Sequence, residues 1–163
     1  MATKGTLYCF AGKMGAGKST KAKAIAESKN TILLSEDDLL SQLYPNQIQS
    51  FDDYLTFSSR MKPFVHSHVQ QLLKIGVNVV MDFPGNTINQ RQWFLDIVSE
   101  IQADHQLIYL NIDDATCLQQ LKIRRQTNPE RADFDTEATF NYVSSFFEEP
   151  QASEGLNILE IKD

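Results

Sequence analysis

Residues 12–19 read Gly-Lys-Met-Gly-Ala-Gly-Lys-Ser and fit the pattern G-x-x-x-x-G-K-[ST]. Glycines at those positions let successive backbone N–H groups converge on a phosphate, and the helix that follows adds the positive end of its dipole. Lys18 is placed to reach the β- and γ-phosphates of a nucleotide. Ser19 offers a hydroxyl, a hard oxygen donor of the kind Mg²⁺ prefers. The chemistry implied is the binding of ATP with Mg²⁺, with Gly12, Lys13, Met14, Gly15, Ala16, Gly17, Lys18, Ser19 and Thr20 as candidate nucleotide-binding residues.

Three further groups of residues have chemical potential. Glu36, Asp37 and Asp38 follow an apolar run at the point where a helix begins. Acids there favour the helix N-terminus for capping and dipole reasons alone. A carboxylate after the strand that succeeds the glycine loop's helix also faces the phosphates, where it can take a proton from an acceptor hydroxyl. Asp82 closes the apolar run 77–81 and reads as an acid acting on magnesium, with turn initiation before Pro84-Gly85 as the alternative. Arg124, Arg125 and Arg131 bracket the polar stretch 126–135, from which guanidinium groups can close over ATP and stabilise charge on a phosphoryl group in transfer. His66 and His68, two residues apart on a helix, point to different faces and make a poor metal pair. Trp93, Phe146 and Phe147 belong to helical apolar stripes and read as core.

The elements that must position these residues follow from periodicity. Strands are expected at 6–11, 31–34, 77–81, 106–112 and 156–161. Helices are expected at 18–29, in a short piece after the Ser35 cap, through 51–75 with a break at Pro63, at about 89–102, from Asp113 to Arg125, and at 136–147. Strands alternating with helices imply an α/β fold in three layers, a parallel sheet with helices on both faces. Ligands in such sheets bind at the carboxyl ends of the strands, which is where residues 12–19, 36–38 and Asp82 fall.

With 163 residues, one domain over 1–163 is expected, with 126–135 as its lid. A composition of 42% hydrophobic and 22% charged residues is that of a globular protein. The net charge of -6 argues against affinity for long nucleic acid, which needs clustered Lys and Arg. Cys9 and Cys117 stand far apart in no ligand spacing and read as reduced structural thiols. No apolar run approaches the ~18 residues needed to cross a bilayer, and the chain enters a strand without a signal-like segment. No membrane association and a cytoplasmic location are therefore expected.

The glycine loop, LSEDDLL, VVMDFPGNTINQR and LKIRR occur in this order, and with them almost the whole chain resembles the P-loop kinases related to the polynucleotide kinase 5′-kinase domain, zeta toxins and chloramphenicol phosphotransferase. The resemblance implies the P-loop NTPase fold, five strands in the order 2-3-1-4-5, and phosphoryl transfer from ATP to a hydroxyl. It implies Lys18, Asp37 and Arg125 as catalytic residues, with Asp37 the base at the first Asp of the family's D-D-x-R pattern. Ser19 and Asp82 are the implied magnesium residues, and Arg124 or Arg125 the implied lid arginine. Asn86 and Arg91 are similar to the family's D-x-x-N stretch and its later Arg, although Asn86 lies one residue late. Leu40 stands where the pattern has Arg, which removes a contact to a substrate phosphate and favours a small-molecule acceptor over a nucleic-acid 5′-hydroxyl. An NTP hydrolase and a non-catalytic ATP sensor are the rival readings. The [NT]-K-x-D motif of a GTPase is absent.

Overall fold

The structure, a computed structural model, describes residues 3–129 and 132–162. Five strands form one sheet: β1 (Thr6–Ala11), β2 (Thr31–Ser35), β3 (Asn78–Asp82), β4 (Asp104–Asn111) and β5 (Ile158–Lys162). Every pairing is parallel and the order is β2-β3-β1-β4-β5. The sheet of a P-loop NTPase, with the strand order implied by the resemblance, is thus present.

The side-chain alternation of β1 divides the core in two. Leu7, Cys9 and Ala11 point to one face with Val79 and Met81 of β3 and Leu107 and Tyr109 of β4. Helix α3 (Phe51–Lys74) covers that face with Met61, Val65, Val69 and Leu73, and α4 (Ile88–Ser99) with Phe94, Ile97 and Val98. Phe10, Val80, Ile108 and Leu110 point to the other face, where α1 (Lys18–Ala26) contributes Ala22, Ile25 and Ala26. Strands buried on both sides must be apolar almost continuously, which is why the runs at 6–11 and 77–81 are so plain in the sequence.

Pro63 does not interrupt α3, which runs unbroken from Phe51 to Lys74. A proline inside a helix costs about 3 kcal/mol. Here the buried stripe of Met61, Val65, Val69 and Leu73 continues on both sides of it, and burying one such side chain is worth about 1.5–3 kcal/mol. Pro63 itself is exposed, so water can reach the carbonyl left without a donor. Helix α1 is shorter than expected and ends at Ala26, from which a turn through Asn30, at φ 57°, leads to β2. The remaining helices are α2 (Glu36–Leu43), α5 (Asp114–Thr127) and α6 (Glu137–Ser144). Among the described residues, no helix is long and apolar enough to cross a membrane.

Candidate functional site

The loop 12–19 runs from the buried end of β1 to the first turn of α1. Gly17 caps α1 at φ 98°, a left-handed conformation that L side chains seldom adopt. Gly15, at φ 78°, lies against α5, where a Cβ would come within 2.4 Å of the Cys117 carbonyl oxygen. Met14 and Ala16 pack on Cys117 and Leu121 of α5 and Phe140 of α6, so the loop's outer side rests on a small apolar seat. Its inner side is fixed by Asn86, whose Oδ1 accepts the Gly12 N–H at 2.9 Å. Asn86 is held in turn by its own N–H to Gln90 Oε1 at 2.8 Å, inside the Thr87–Gln90 capping box that starts α4.

Lys18 folds back so that its ammonium donates to the Gly12 carbonyl, inside the span of the loop. Burial pulls its pKa down to about 8, against the attraction of Asp82, and Arg124 pushes in the same direction as burial. Ser19 Oγ donates to Asp82 Oδ2 at 2.8 Å, joining the start of α1 to the end of β3. Asp82 is raised above the usual carboxylate range by burial, opposed by the Ser19 hydrogen bond and the Lys18 charge. Thr20 is exposed on the same helical turn. Lys13 turns outward to Asp114 at 2.9 Å, with its ammonium over the Phe147 ring.

Register places the acidic cluster beside this pair, because Ser35 of β2 is paired with Asp82 of β3. Ser35 caps α2 by accepting the Asp38 N–H, at 3.4 Å. The three acids beyond it separate. Asp37 and Asp38 are exposed, and the charge of Asp37 acts on both Lys18 and Asp82. Glu36 is 4% exposed and turns into the α2–α3 junction, where it accepts from Tyr54 Oη at 2.5 Å and Ser58 Oγ at 2.8 Å. Burial raises its pKa, and these two hydrogen bonds offset part of the rise. Leu40 is buried in the core beside α3 and brings no polar group to the site.

The arginines take different positions. Arg124 is clamped by Asp135, with Nε at 2.7 Å and Nη2 at 2.8 Å from its two oxygens, and its charge acts on Lys18. Arg125 is partly buried next to it in the last turn of α5. Arg131 lies outside the described residues. Arg91 is fully buried and donates to both oxygens of Glu154 and to the Gly85 carbonyl, which makes it a brace beneath the turn 83–87. Lys18, Ser19, Asp82 and Asp37 are therefore gathered at the carboxyl ends of β1, β2 and β3, with Arg124 near enough for its charge to act on Lys18, whereas Arg91 is engaged by Glu154 and Gly85.

Sequence reasoning missed the anchoring of Glu36 and the two partners that fix the loop and Arg124. Tyr54 and Ser58 are four apart and so share a face of α3, a signal that pointed to a polar partner without naming it. Asn86 was visible as a motif residue but not as a support for Gly12. Asp135 carried no local signal at all.

A protein-family profile described as "AAA domain" matches residues 7–150. The chain belongs to this AAA domain family. Its fold is the P-loop, nucleotide-binding one, of the kind seen in P-loop kinases. No curated protein sequence matches it. Among solved structures, the AAA domain is similar to a candidate kinase from Chloroflexus aurantiacus, at 16% identity and a TM-score of 0.72 over 99% of this chain and 86% of that one. It is also similar to the Mycobacterium tuberculosis APS kinase CysC solved with AMPPNP and APS, at 15% identity and a TM-score of 0.66 over 98% and 88% of the two chains. A chain of the Pnkp1/Rnl/Hen1 RNA repair complex is matched at 19% identity with a TM-score of 0.63, over 91% of this chain but only 48% of its own length. At these identities the likeness is one of fold.

Proposed function

We propose that this AAA domain is an ATP-dependent kinase that moves the γ-phosphate of ATP to a hydroxyl of a small-molecule acceptor. The observation that carries the reading is the convergence of a loop-bound ammonium at Lys18, a hydroxyl–carboxylate pair at Ser19 and Asp82, and an exposed carboxylate at Asp37. Residues 12–20 would cradle the phosphates, with Gly15 and Gly17 giving the backbone its curvature. Asp37 would accept the proton of the acceptor hydroxyl as that oxygen bonds to the γ-phosphorus and the bond to the β–γ bridging oxygen breaks, releasing ADP. Arg124 and Arg125, in the last turn of α5 at the base of the stretch 126–135, would offset charge on the phosphoryl group, with that stretch as the lid of a single domain.

The donor set fits magnesium. Ser19 Oγ and Asp82 Oδ2 are hard oxygens 2.8 Å apart, the separation of neighbouring ligands on an octahedral ion with bonds of about 2.0–2.1 Å. Bound there with ATP, Mg²⁺ would neutralise charge across the β- and γ-phosphates. Asp82 would hold the ion directly or through water.

The test is phosphate transfer from ATP to a panel of nucleosides, sugars, antibiotics and a 5′-hydroxyl oligonucleotide, followed by Asp37→Asn and Asp38→Asn on the acceptor found. Loss of a positioned general base is worth about 10²- to 10⁴-fold, so kcat of Asp37→Asn is expected to drop by that range with ATP affinity unchanged. Losing a first-turn charge costs a helix only about 0.3–1 kcal/mol, so a helix-stabilising role alone would leave activity intact. Activity lost only in Asp38→Asn would move the base by one residue. Hydrolysis of ATP with no transfer to any acceptor would favour the hydrolase reading, and tight binding with no turnover the sensor.

A further inference from the structure

Phe51 at the start of α3, Tyr142 on α6 and Phe146 in the turn beyond α6, where a core position was expected, are 50%, 56% and 52% exposed, and Tyr142 touches both of the others. The Phe51 ring meets Tyr142 edge-on at 6.4 Å, and Tyr142 meets Phe146 edge-on at 5.2 Å. Leu55, one turn along α3 from Phe51, is 49% exposed as well. An aromatic side chain commonly buries ~150–250 Å² when it packs, so three half-exposed rings and a leucine make an apolar patch near the upper size seen on soluble monomers, where such patches are often functional.

The patch is continuous with the candidate site. Phe51 stacks on Tyr54 at 5.9 Å, and the Tyr54 hydroxyl is bonded to Glu36, the residue before Asp37. Asp37 is also among the charges acting on the Tyr54 phenol. At its other end, the segment after α6 returns to the phosphate loop, because the Glu148 N–H donates to the Asn86 carbonyl and Asn86 holds Gly12. The rings thus bridge the helix pair that carries Asp37 and the segment tied to the loop.

The charge around the patch selects its occupant. Asp37, Asp38, Asp52 and Asp53 lie on the first turns of α2 and α3, and the buried Leu40 adds no cation beside them. Away from Lys18, such a wall disfavours a second phosphate or a sulfate on the acceptor and suits an uncharged flat surface, which binds by stacking.

We infer that Phe51, Tyr142 and Phe146 form the acceptor-binding shelf of this kinase, and that the acceptor is a hydroxyl compound carrying a flat ring system and no phosphate or sulfate. This rests on the kinase reading above.

The test uses matched acceptors that share a hydroxyl-bearing part and differ in the flat ring: adenosine and uridine against ribose, and 2-phenylethanol against ethanol. Initial rates with ATP and Mg²⁺ are measured on wild type, Phe51→Ala, Tyr142→Ala and Tyr142→Phe. At least one ring-bearing compound is expected to exceed its partner about tenfold or more in kcat/KM, the range of one aromatic contact. Phe51→Ala and Tyr142→Ala should bring that ratio close to one through KM, with the Kd for ATP unchanged, and Tyr142→Phe should keep it. Parity in wild type, or a preference untouched by both alanine variants, overturns the proposal. If no acceptor is phosphorylated, the kinase reading fails separately, and saturation-transfer NMR with adenosine and 2-phenylethanol decides the shelf. Binding seen in wild type and lost in Phe51→Ala sustains it, and no binding overturns it. A wild-type dimer in sedimentation that Phe51→Ala converts to monomer also overturns it, by showing that the rings cover a second copy of the chain.

Discussion

Lys18 lies within the span of the phosphate loop, with its ammonium on the Gly12 carbonyl. Its ammonium titrates near pH 8, because burial disfavours the charged form more than Asp82 and Asp37 restore it. The sign for ligand binding follows. Below about pH 8 the side chain is a cation and attracts phosphate, and above it the neutral amine does not. Because bound phosphates favour the ammonium, affinity and proton uptake are linked, and the Kd for ATP should rise by up to about tenfold per pH unit above 8. Lys18→Arg, whose guanidinium stays charged, should remove that dependence, and Lys18→Ala should weaken binding at every pH while the fold survives. Titration calorimetry from pH 6.5 to 9.5 checks all three. A flat profile for wild type would mean that Lys18 is not the cation that meets the phosphates.

At the scale of elements, the junction of α2 and α3 decides which acid of the cluster is available. Glu36 is committed to Tyr54 and Ser58, and burial raises its carboxyl above the ordinary range around 4.5. A carboxyl raised in the folded state binds its proton more tightly there than in the unfolded chain, so its ionisation weakens the fold as pH climbs from about 4.5 through the raised value. Wild type should therefore lose part of its thermal stability over that interval, and Glu36→Gln, which keeps the shape without the charge, should lose less. Melting temperatures from pH 4.5 to 7.5 measure the difference, and identical slopes would show that Glu36 titrates as a solvated acid. This junction also marks where the sequence stopped being readable. Ser35 as a helix cap and the acids after it are a local pattern, visible in four consecutive residues. Which acid turns inward depends on how α3 packs across α2, and that is set by contacts of residues 54 and 58 that no local window contains. The same distinction explains Pro63, where local chemistry argued for a break and the tertiary stripe of Met61, Val65, Val69 and Leu73 overrode it. It also explains Asp135, which reaches Arg124 only because α6 folds back toward α5.

For the whole molecule, the order of the sheet was accessible because each parallel crossover leaves a period of strand, turn and helix in the sequence, and the family pattern then orders them. Strand ends were displaced by one or two residues, as at β4, which begins at Asp104 rather than 106. The candidate site was legible where it lies at strand ends, at residues 12–19, 36–38 and 82. It was illegible where it depends on long-range support, as in the Gly12 to Asn86 bond across 74 positions of sequence.

The position of each strand in the sheet has a further consequence for motion. β1, which delivers the phosphate loop, is hydrogen-bonded on both sides by β3 and β4, whereas β2, which delivers Asp37, is an edge strand bonded only to β3. Every residue of β2 is only partly buried, while four of the six in β1 are fully buried. Local opening follows such differences in protection, so the two halves of the site differ in the free energy at which they unfold. In native-state hydrogen–deuterium exchange, the amides of residues 31–35 should exchange well before those of residues 7–11, at denaturant concentrations that leave the centre of the sheet intact. The half that grips the nucleotide would then be the stiff one, and the half that meets the acceptor would breathe.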